Sequence, residues 1–483
     1  RTGKPIILSS GLTGLDEIRA ARDRIRSAWR AIGVEQDLAI LHCVVSYPTP
    51  PEQANLAAIR ALASLGETVG YSDHTLGIDA AVLSVPLGAH IIEKHFTISK
   101  TRSAFRDHQL SADPSDLAEL VRRVREAELL LGDGIKRVLP AETAGRTAAR
   151  RSIVARRGLA AGQVLGWEDL DWVRPGTGLP PGRESELVGG RLRARVGQGT
   201  QLCPEELEFP VCPVCASADA ELLTIVTTPP PREKNYGVPA ERYRRALYRC
   251  QDCGAFINWH GMLAGDYYRG DYNQACWPDR LLEPFRRIRA LPPDESDNKQ
   301  RVARVVRHLS NRGCSPGSTR TLDIGSGLCV FLAELGDQWG GELVCVDPDP
   351  AAAAHALEHA GVSAAHAGTL DDFAPGIGFD LVTFNKVLEH VPDPVRLLGQ
   401  ARSLLATGGT VYLELPDGEL ALEHGRLSER QEFFAEHLAV YTRSAVERLV
   451  GNAGFRAIET ASLHEPSGKC TVYAFLEPLQ EPA

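Results

Sequence analysis

The sequence carries no excess of positive charge. Its 53 Lys and Arg against 62 Asp and Glu leave a net charge of −9 and a pI near 5.9. That argues against a nucleic-acid partner, whose backbone calls for a basic stripe. Long apolar runs are missing too: none approaches the roughly 20 residues a membrane span needs, and there is no secretory signal. No membrane partner is expected, and the setting expected is cytoplasmic. Nor is there the cysteine pattern of a disulfide scaffold. Of 11 Cys, four fall in two CxxC pairs and the others are scattered singly, which suits a reducing compartment with one metal site. The chain also lacks an initiating Met. It begins at Arg1 and opens almost directly on a strand, so further upstream sequence is expected.

What is present is a 483-residue chain that is 43% hydrophobic and 24% charged, the balance of a soluble globular protein. It is too long for one ordinary core, and three or four domains are expected. The fold class expected is α/β multidomain.

Residues 1–145 alternate apolar strand-like runs with helical stretches. The runs are Pro5–Ser10, Leu38–Val45, Thr68–Asp73 and His90–Thr97, and the intervening helices are read over Leu15–Ile32, Glu52–Leu65 and Ile78–Leu87. Nearly all-apolar strands alternating with helices indicate a parallel sheet covered on both faces. Four such units make half of a (β/α)8 barrel, whose active-site rim lies at the carboxyl ends of the strands. Polar residues cluster there: Ser9, Ser10, Ser46, Tyr47, Ser72, Asp73, His74, Glu93, Lys94 and His95. On spacing alone, His74 and His95 can either share a divalent cation or cap their own loops.

The strings GKPIILSSG, LHCVVSYPTPPEQANL, GYSDHTLG, IIEKHFT and LLGDGIK, spread over residues 2–140, closely resemble the C-terminal half of the sialic acid (N-acylneuraminate and related nonulosonate) synthase family. The resemblance implies condensation of phosphoenolpyruvate with an N-acylated amino sugar, with Mn²⁺ or Mg²⁺ polarising the sugar aldehyde. It further implies His74 and His95 as metal ligands, Ser9 and Ser72 as phosphate contacts, and Tyr47, Glu93 and Asp107 on the sugar side. Three departures stand out. Val45 replaces a small polar residue, Phe105-Arg106 replaces the usual Pro-Gly before Asp107, and the strands that supply the phosphate-gripping lysines belong to the other half of the barrel. The condensation is therefore expected to need a completing partner.

Residues 148–208 read as short β runs between Gly-containing turns. DLDWVRPGTGL in this stretch resembles the antifreeze-like (SAF) domain that follows the barrel in the same family. By that resemblance Arg174 reaches across a homodimer to the sugar's acyl group; otherwise it is a solvated Arg before a turn.

Residues 209–275 contain Cys212-Pro-Val-Cys215 and Cys250-Gln-Asp-Cys253. Four thiolates at this spacing satisfy tetrahedral Zn²⁺ and leave no open position, so a structural zinc ribbon is expected. A redox CxxC lacks thioredoxin-like surroundings, and local acidity disfavours a nucleic-acid ribbon. The aromatic, acidic GDYYRGDYNQ that follows is read as packing, with a substrate-facing lid as the alternative.

In residues 296–480, Thr321–Ile324 reads as a strand, Gly325-Ser326-Gly327 as a tight turn and Val330–Leu335 as the start of a helix. Such a hinge lets a ligand approach the backbone closely. Asp347, ending the next strand Leu343–Val346, can accept both hydroxyls of a ribose. Val330 stands where a dinucleotide loop needs its third small residue, and the acidic Asp323 favours a cationic sulfonium over a polyanion. TLDIGSG, VDPDP, FDLVTFNKVLEHVPDP, LATGGTVYLELP and HLAVYTRSAVERLVGNAGF together resemble class I S-adenosylmethionine-dependent methyltransferases. The resemblance implies that Asp323, Gly325, Ser326 and Gly327 hold the methionine end, Asp347 the ribose, and Asn385 the edge near the methyl group. With the cysteine pairs ahead of it, this segment is similar to zinc-bearing sugar C-methyltransferases, which implies catalytic roles for His390, Glu436 and His437. Phe434 replaces a tyrosine of that pattern. Removing a proton during methyl transfer suits such a His–Glu group.

The expected function is methylation of a sugar, nucleotide sugar or nonulosonate in surface-glycan biosynthesis, fused to a truncated synthase-like module. Two alternatives stand beside it. One is a bifunctional synthase–methyltransferase; the other is a half barrel kept for sugar binding or dimerisation.

Overall fold

The structure is a computed structural model that describes residues 4–103, 105–234, 238–262 and 281–479. The GDYYRGDYNQ stretch lies outside the described residues. The chain divides into two compact units, Arg1–Leu139 and Pro140–Ala483. Both are α/β in construction, and no helix among the described residues is long and apolar enough to cross a membrane.

The first unit is built on four parallel strands in the order β1-β2-β3-β4: Ile6–Ser9, Leu38–Cys43, Thr68–Asp73 and Ile91–Lys94. β2 is buried along its whole length, as the all-apolar LAILHC run requires. The helix Leu15–Ala31 turns Ile18 and Trp29 into the core beside Ile40, Ile59 and Val69. Two expected helices are interrupted. The Glu52–Leu65 run breaks at Asn55, whose φ is +43°, leaving a 3₁₀ turn Pro51–Gln53 and a short helix Ala58–Ala63. The Ile78–Leu87 run is helical only over Asp79–Ser84. Pro86 has no N–H to continue the ladder, and Val85–Leu87 tightens to a 3₁₀ turn.

The second unit begins with a helix, Pro140–Ala149, and a small β module. Its strands are β5 Ser152–Ala155, β6 Leu170–Val173, β7 Arg191–Leu192 and β8 Leu207–Glu208, packed about Ile153, Leu165, Leu187 and Leu202. A second module is an antiparallel ribbon of β9 Ala220–Val226, β10 Arg245–Cys250 and β11 Phe256–Trp259. The last body is a seven-stranded sheet in the order β14-β13-β12-β15-β16-β19-β18. Here β12 is Arg320–Ile324, β13 Glu342–Asp347, β14 Ala364–Ala367, β15 Phe379–Asn385, β16 Leu405–Pro416, β18 Phe455–His464 and β19 Cys470–Pro478. β12 to β16 run parallel, and β19 inserts antiparallel between β16 and β18. The chain leaves β12 in one direction and returns to β15 on its other side. Their carboxyl ends therefore frame the crevice in which open α/β sheets bind ligands.

The ribbon and this sheet share material. β17, Ala439–Val440, comes from the C-terminal body but completes the ribbon sheet against β11. One continuous apolar cluster runs from Val214, Ala246 and Tyr248 of the ribbon to Leu322, Val382 and Leu413 of the larger sheet.

Candidate active site

Gly325 and Gly327 follow β12 with φ of +70° and +50°, conformations that glycine adopts without strain. A Cβ on Gly325 would come within 2.7 Å of Val387, whereas one on Gly327 would meet nothing within 4 Å. The loop is thus packed on one side and open on the other. Asp347, at the end of β13, accepts the Gly327 N–H at 2.8 Å through one carboxylate oxygen and the Asp349 N–H at 2.9 Å through the other. Asp323, at the end of β12, accepts from Thr383 Oγ1 at 2.5 Å and Asn385 Nδ2 at 2.8 Å. Burial pushes the Asp323 carboxyl up to about 6 and raises that of Asp347 as well. The Asn385 carbonyl oxygen is buried with no hydrogen-bond partner among the described residues, an arrangement that calls for a ligand or water. A cavity of about 380 Å³ opens beside this loop, lined by Gly325, Pro348, Gly368, Leu370, Val387, Val391 and Arg396 among others.

A second cavity of about 240 Å³ lies across the segment that follows β15. Val387 and Val391 face the first cavity, while Lys386, Glu389 and His390 face the second. Glu432, Glu436, His437 and Phe434 line that second cavity too, with the basic Arg232, Lys234, Lys386 and Lys469, of which Lys386 is bonded to Thr471 and lies 3.5 Å from Glu465. The rings of His390 and His437 are 4.9 Å apart. Each shares its Nδ1 with a backbone carbonyl, Glu436 O at 2.9 Å and Glu432 O at 2.7 Å. Burial lowers His390 to about 3 and His437 to about 4, so both imidazoles are neutral near pH 7.

The ribbon holds the loop that carries these groups. Asn258 donates to Phe434 O at 2.8 Å and His260 bonds Ala435 O at 2.8 Å. The fully buried Arg245 donates to Phe433 O, and Glu233 accepts from Ala435 N at 2.6 Å. The four cysteines lie at the far end of the ribbon. Cys212 and Cys253 sulfurs are 3.6 Å apart, Cys215 and Cys250 3.5 Å, and all four fall within 4.8 Å of one another. Tetrahedral ligands at roughly 2.3 Å from zinc would sit about 3.8 Å apart, so the spacing fits that ion. Each knuckle turns on a positive-φ residue, Ala216 and Gly254, whose N–H returns to the carbonyl of the first cysteine of its pair or turn, Cys212 and Cys250.

In the first unit the rings of His74 and His95 are 5.3 Å apart, with Tyr47 4.3 Å from His74 and 5.9 Å from His95. His74 is fixed by Val44 O at 2.9 Å. Ser72 donates to Glu93 at 2.6 Å, tying a residue expected on the phosphate side to one expected on the sugar side. Ser9 is exposed at the end of β1, and Asp107 lies in the first turn of the short helix Arg106–Leu110. In the second unit Arg174 is exposed at the end of β6, before a cis Pro175.

A NeuB-family model matches residues 1–136, a SAF-domain model residues 150–208, and a methyltransferase-domain model residues 286–460. The chain joins NeuB, SAF and methyltransferase domains. An uncharacterised protein of Methanocaldococcus jannaschii is 45% identical over 199 residues, which is 40% of this chain and 56% of that protein. The N,N'-diacetyllegionaminic acid synthase of Legionella pneumophila is 41% identical over 205 residues, 42% of this chain and 57% of that enzyme. The chain thus spans just over half the length of these relatives. Among solved structures, magnesium protoporphyrin IX methyltransferase from Synechocystis with bound SAH aligns over 44% of this chain and 96% of that one, at 18% identity and a TM-score of 0.33.

Asp323, Gly325, Ser326, Gly327, Asp347, Asn385, His390, Glu436 and His437 all fall inside the methyltransferase match, whereas the four cysteines fall between the SAF and methyltransferase matches. The sequence reading missed Glu389 and the four cations of the second cavity. Glu389 is fully buried and lines that cavity. Its only signal was an acid beside a histidine in the LEH run.

Proposed function

We propose that the second unit is an S-adenosylmethionine-dependent methyltransferase whose acceptor is an anionic sugar, such as a nucleotide sugar or a nonulosonate, in glycan biosynthesis. The observation that carries this reading is the pair of cavities on either side of residues 386–391, one against the glycine loop and one against the His–Glu cluster. When bound, the cofactor supplies an electrophilic methyl group on a sulfonium. Asp347 would take the ribose hydroxyls, Gly327 would give room for backbone approach, and Asp323, Ser326 and Asn385 would face the methionine end. His390, His437 and Glu436 would orient the acceptor and take up its proton. Arg232 and Lys469 would grip a phosphate or carboxylate, which is why an anionic acceptor is favoured over a neutral glycoside. A structural Zn²⁺ would sit on Cys212, Cys215, Cys250 and Cys253.

Calorimetry with the intact chain tests the reading. Wild type is expected to bind the cofactor and Asp347→Ala to lose it; an unaffected variant would remove the basis of the assignment. Nucleotide sugars and free nonulosonates then serve as acceptor candidates in a methyl-transfer assay.

A second activity is supported by the His74–His95 pair with Tyr47 beside it. These residues would hold Mn²⁺ or Mg²⁺ in a phosphoenolpyruvate condensation once the remainder of the barrel is supplied. Arg174 would contribute across a homodimer.

A further inference from the structure

The turn between β18 and β19 closes on three side chains that methyl transfer does not use. His464, the last residue of β18, pairs across the ladder with Cys470, the first of β19. Directly paired residues of an antiparallel ladder put their side chains on one face. The helix Gly418–Glu423 ends at His424 and delivers a second imidazole to the same place. The His424 and His464 rings are 4.8 Å apart, and the ligand atoms of His424, His464 and Cys470 all lie within 4.8 Å of one another. We propose that these three residues bind one divalent ion of the Zn²⁺ class, in a site distinct from the four cysteines and from the His390–His437 pair.

Two imidazoles and one thiolate suit zinc and leave its fourth position to water. Both histidines are exposed, and neither ring makes a hydrogen bond among the described residues. Their nitrogens are therefore available, and the rings can turn. The sulfur is fixed instead. Cys470 is fully buried, its N–H reaches Glu432 at 2.7 Å, and its carbonyl accepts from Asp417 at 3.0 Å. Arg430 donates to the sulfur at 3.2 Å, a contact that favours the thiolate, while Glu432 answers the guanidinium charge at 2.7 Å. Hydrogen bonds of this kind orient a ligand from behind and tune it. Burial, with Glu432 adding to the effect, pushes the Cys470 thiol up to about 11; a thiol that coordinates a metal gives up its proton to solvent. Donors around one zinc ion sit roughly 3–4 Å apart, a spacing that rotation of the two exposed rings reaches. The ion would clamp both ends of the turn 465–469, whose Lys469 lines the second cavity.

Equilibrium dialysis of the full chain against Zn²⁺, with metal counted by mass spectrometry, tests the proposal. Wild type is expected to hold one ion more than His424→Gln and one more than His464→Gln. Both changes lie on the surface, and circular dichroism reports that the variants are folded. Co²⁺ loading supplies the second readout. The wild-type spectrum minus that of His464→Gln should contain a thiolate-to-cobalt charge-transfer band, and Cys470→Ser should lose the same band while the four-cysteine site keeps its own. Equal ion counts in wild type and both folded histidine variants would overturn the site. So would a lost ion whose difference spectrum carries no thiolate band, because Cys470 would then not be a ligand. Neither outcome depends on whether cofactor or acceptor binds.

Discussion

Asp323 shows how one residue couples burial to ligand chemistry. It lies at a sheet end that is sealed from water, and its carboxyl rises to about 6. It is therefore protonated and uncharged below that pH, and ionised above it. A sulfonium or ammonium ligand gains from the ionised form only. Cofactor affinity is expected to rise by up to roughly tenfold per pH unit as pH climbs toward 6, then to level off. Calorimetry from about pH 5 to pH 8 would show the profile, and Asp323→Asn should flatten it. A profile unchanged in that variant would transfer the effect to Asp347, which burial also pushes up. The strand, glycine turn and acid-ended second strand that carry Asp323, Gly325 and Asp347 were legible in the sequence because they occupy one short stretch of chain. Glu389 was not. Its surroundings come from a loop nearly fifty residues later, where Leu438 N–H reaches the Glu389 carbonyl at 2.7 Å, and local pattern carries no trace of that meeting.

At the level of elements, strands were read more surely than helices. Thr68–Asp73 came out with the same bounds because a β-rich run ends in polar residues at both sides. The Glu52–Leu65 helix failed at Asn55, since nothing in an apolar periodicity announces a single residue in the left-handed region. Long-range charge pairing was equally invisible. The helix Asp297–Asn311 is fastened to β16 by Arg301 and Arg304, which reach Glu414 at 2.7 and 2.6 Å, with Tyr412 donating to the same carboxylate at 2.5 Å. Burial alone would raise the Glu414 pKa, but the Arg301 charge overrides it and holds the group low. Breaking such a buried pair leaves an uncompensated charge and costs about 3–5 kcal/mol. Arg301→Met is expected to lose stability of that order in urea unfolding; a loss under about 1 kcal/mol would mean that Arg304 and Tyr412 suffice.

Across the whole second unit, the ribbon acts at a distance from its cysteines. Arg245, Asn258 and His260 hold the backbone of Phe433 to Ala435, and this backbone leads directly into Glu436 and His437. On the proposed reading, loss of a metal held by the cysteines should therefore disturb the proposed acceptor side more than the proposed cofactor side, whose residues sit on β12, β13 and β15. For Cys215→Ser we expect zinc release, an acceptor KM raised about tenfold and cofactor affinity changed by less than about twofold. Metal analysis with steady-state kinetics would test it, and equal losses on both sides would show that the ribbon merely supports the common core.

The borrowed strand Ala439–Val440 also bears on how such a chain can be reshuffled. Sequence comparison delimits a methyltransferase at residues 286–460, yet the edge of that body is sewn into a sheet encoded upstream of residue 260. An exchange that imported the catalytic segment alone would leave Phe256 and its neighbours without their cover and the incoming strand without its mate. Viable descendants are expected to inherit both stretches together, so the heritable module is longer than the one that sequence comparison outlines.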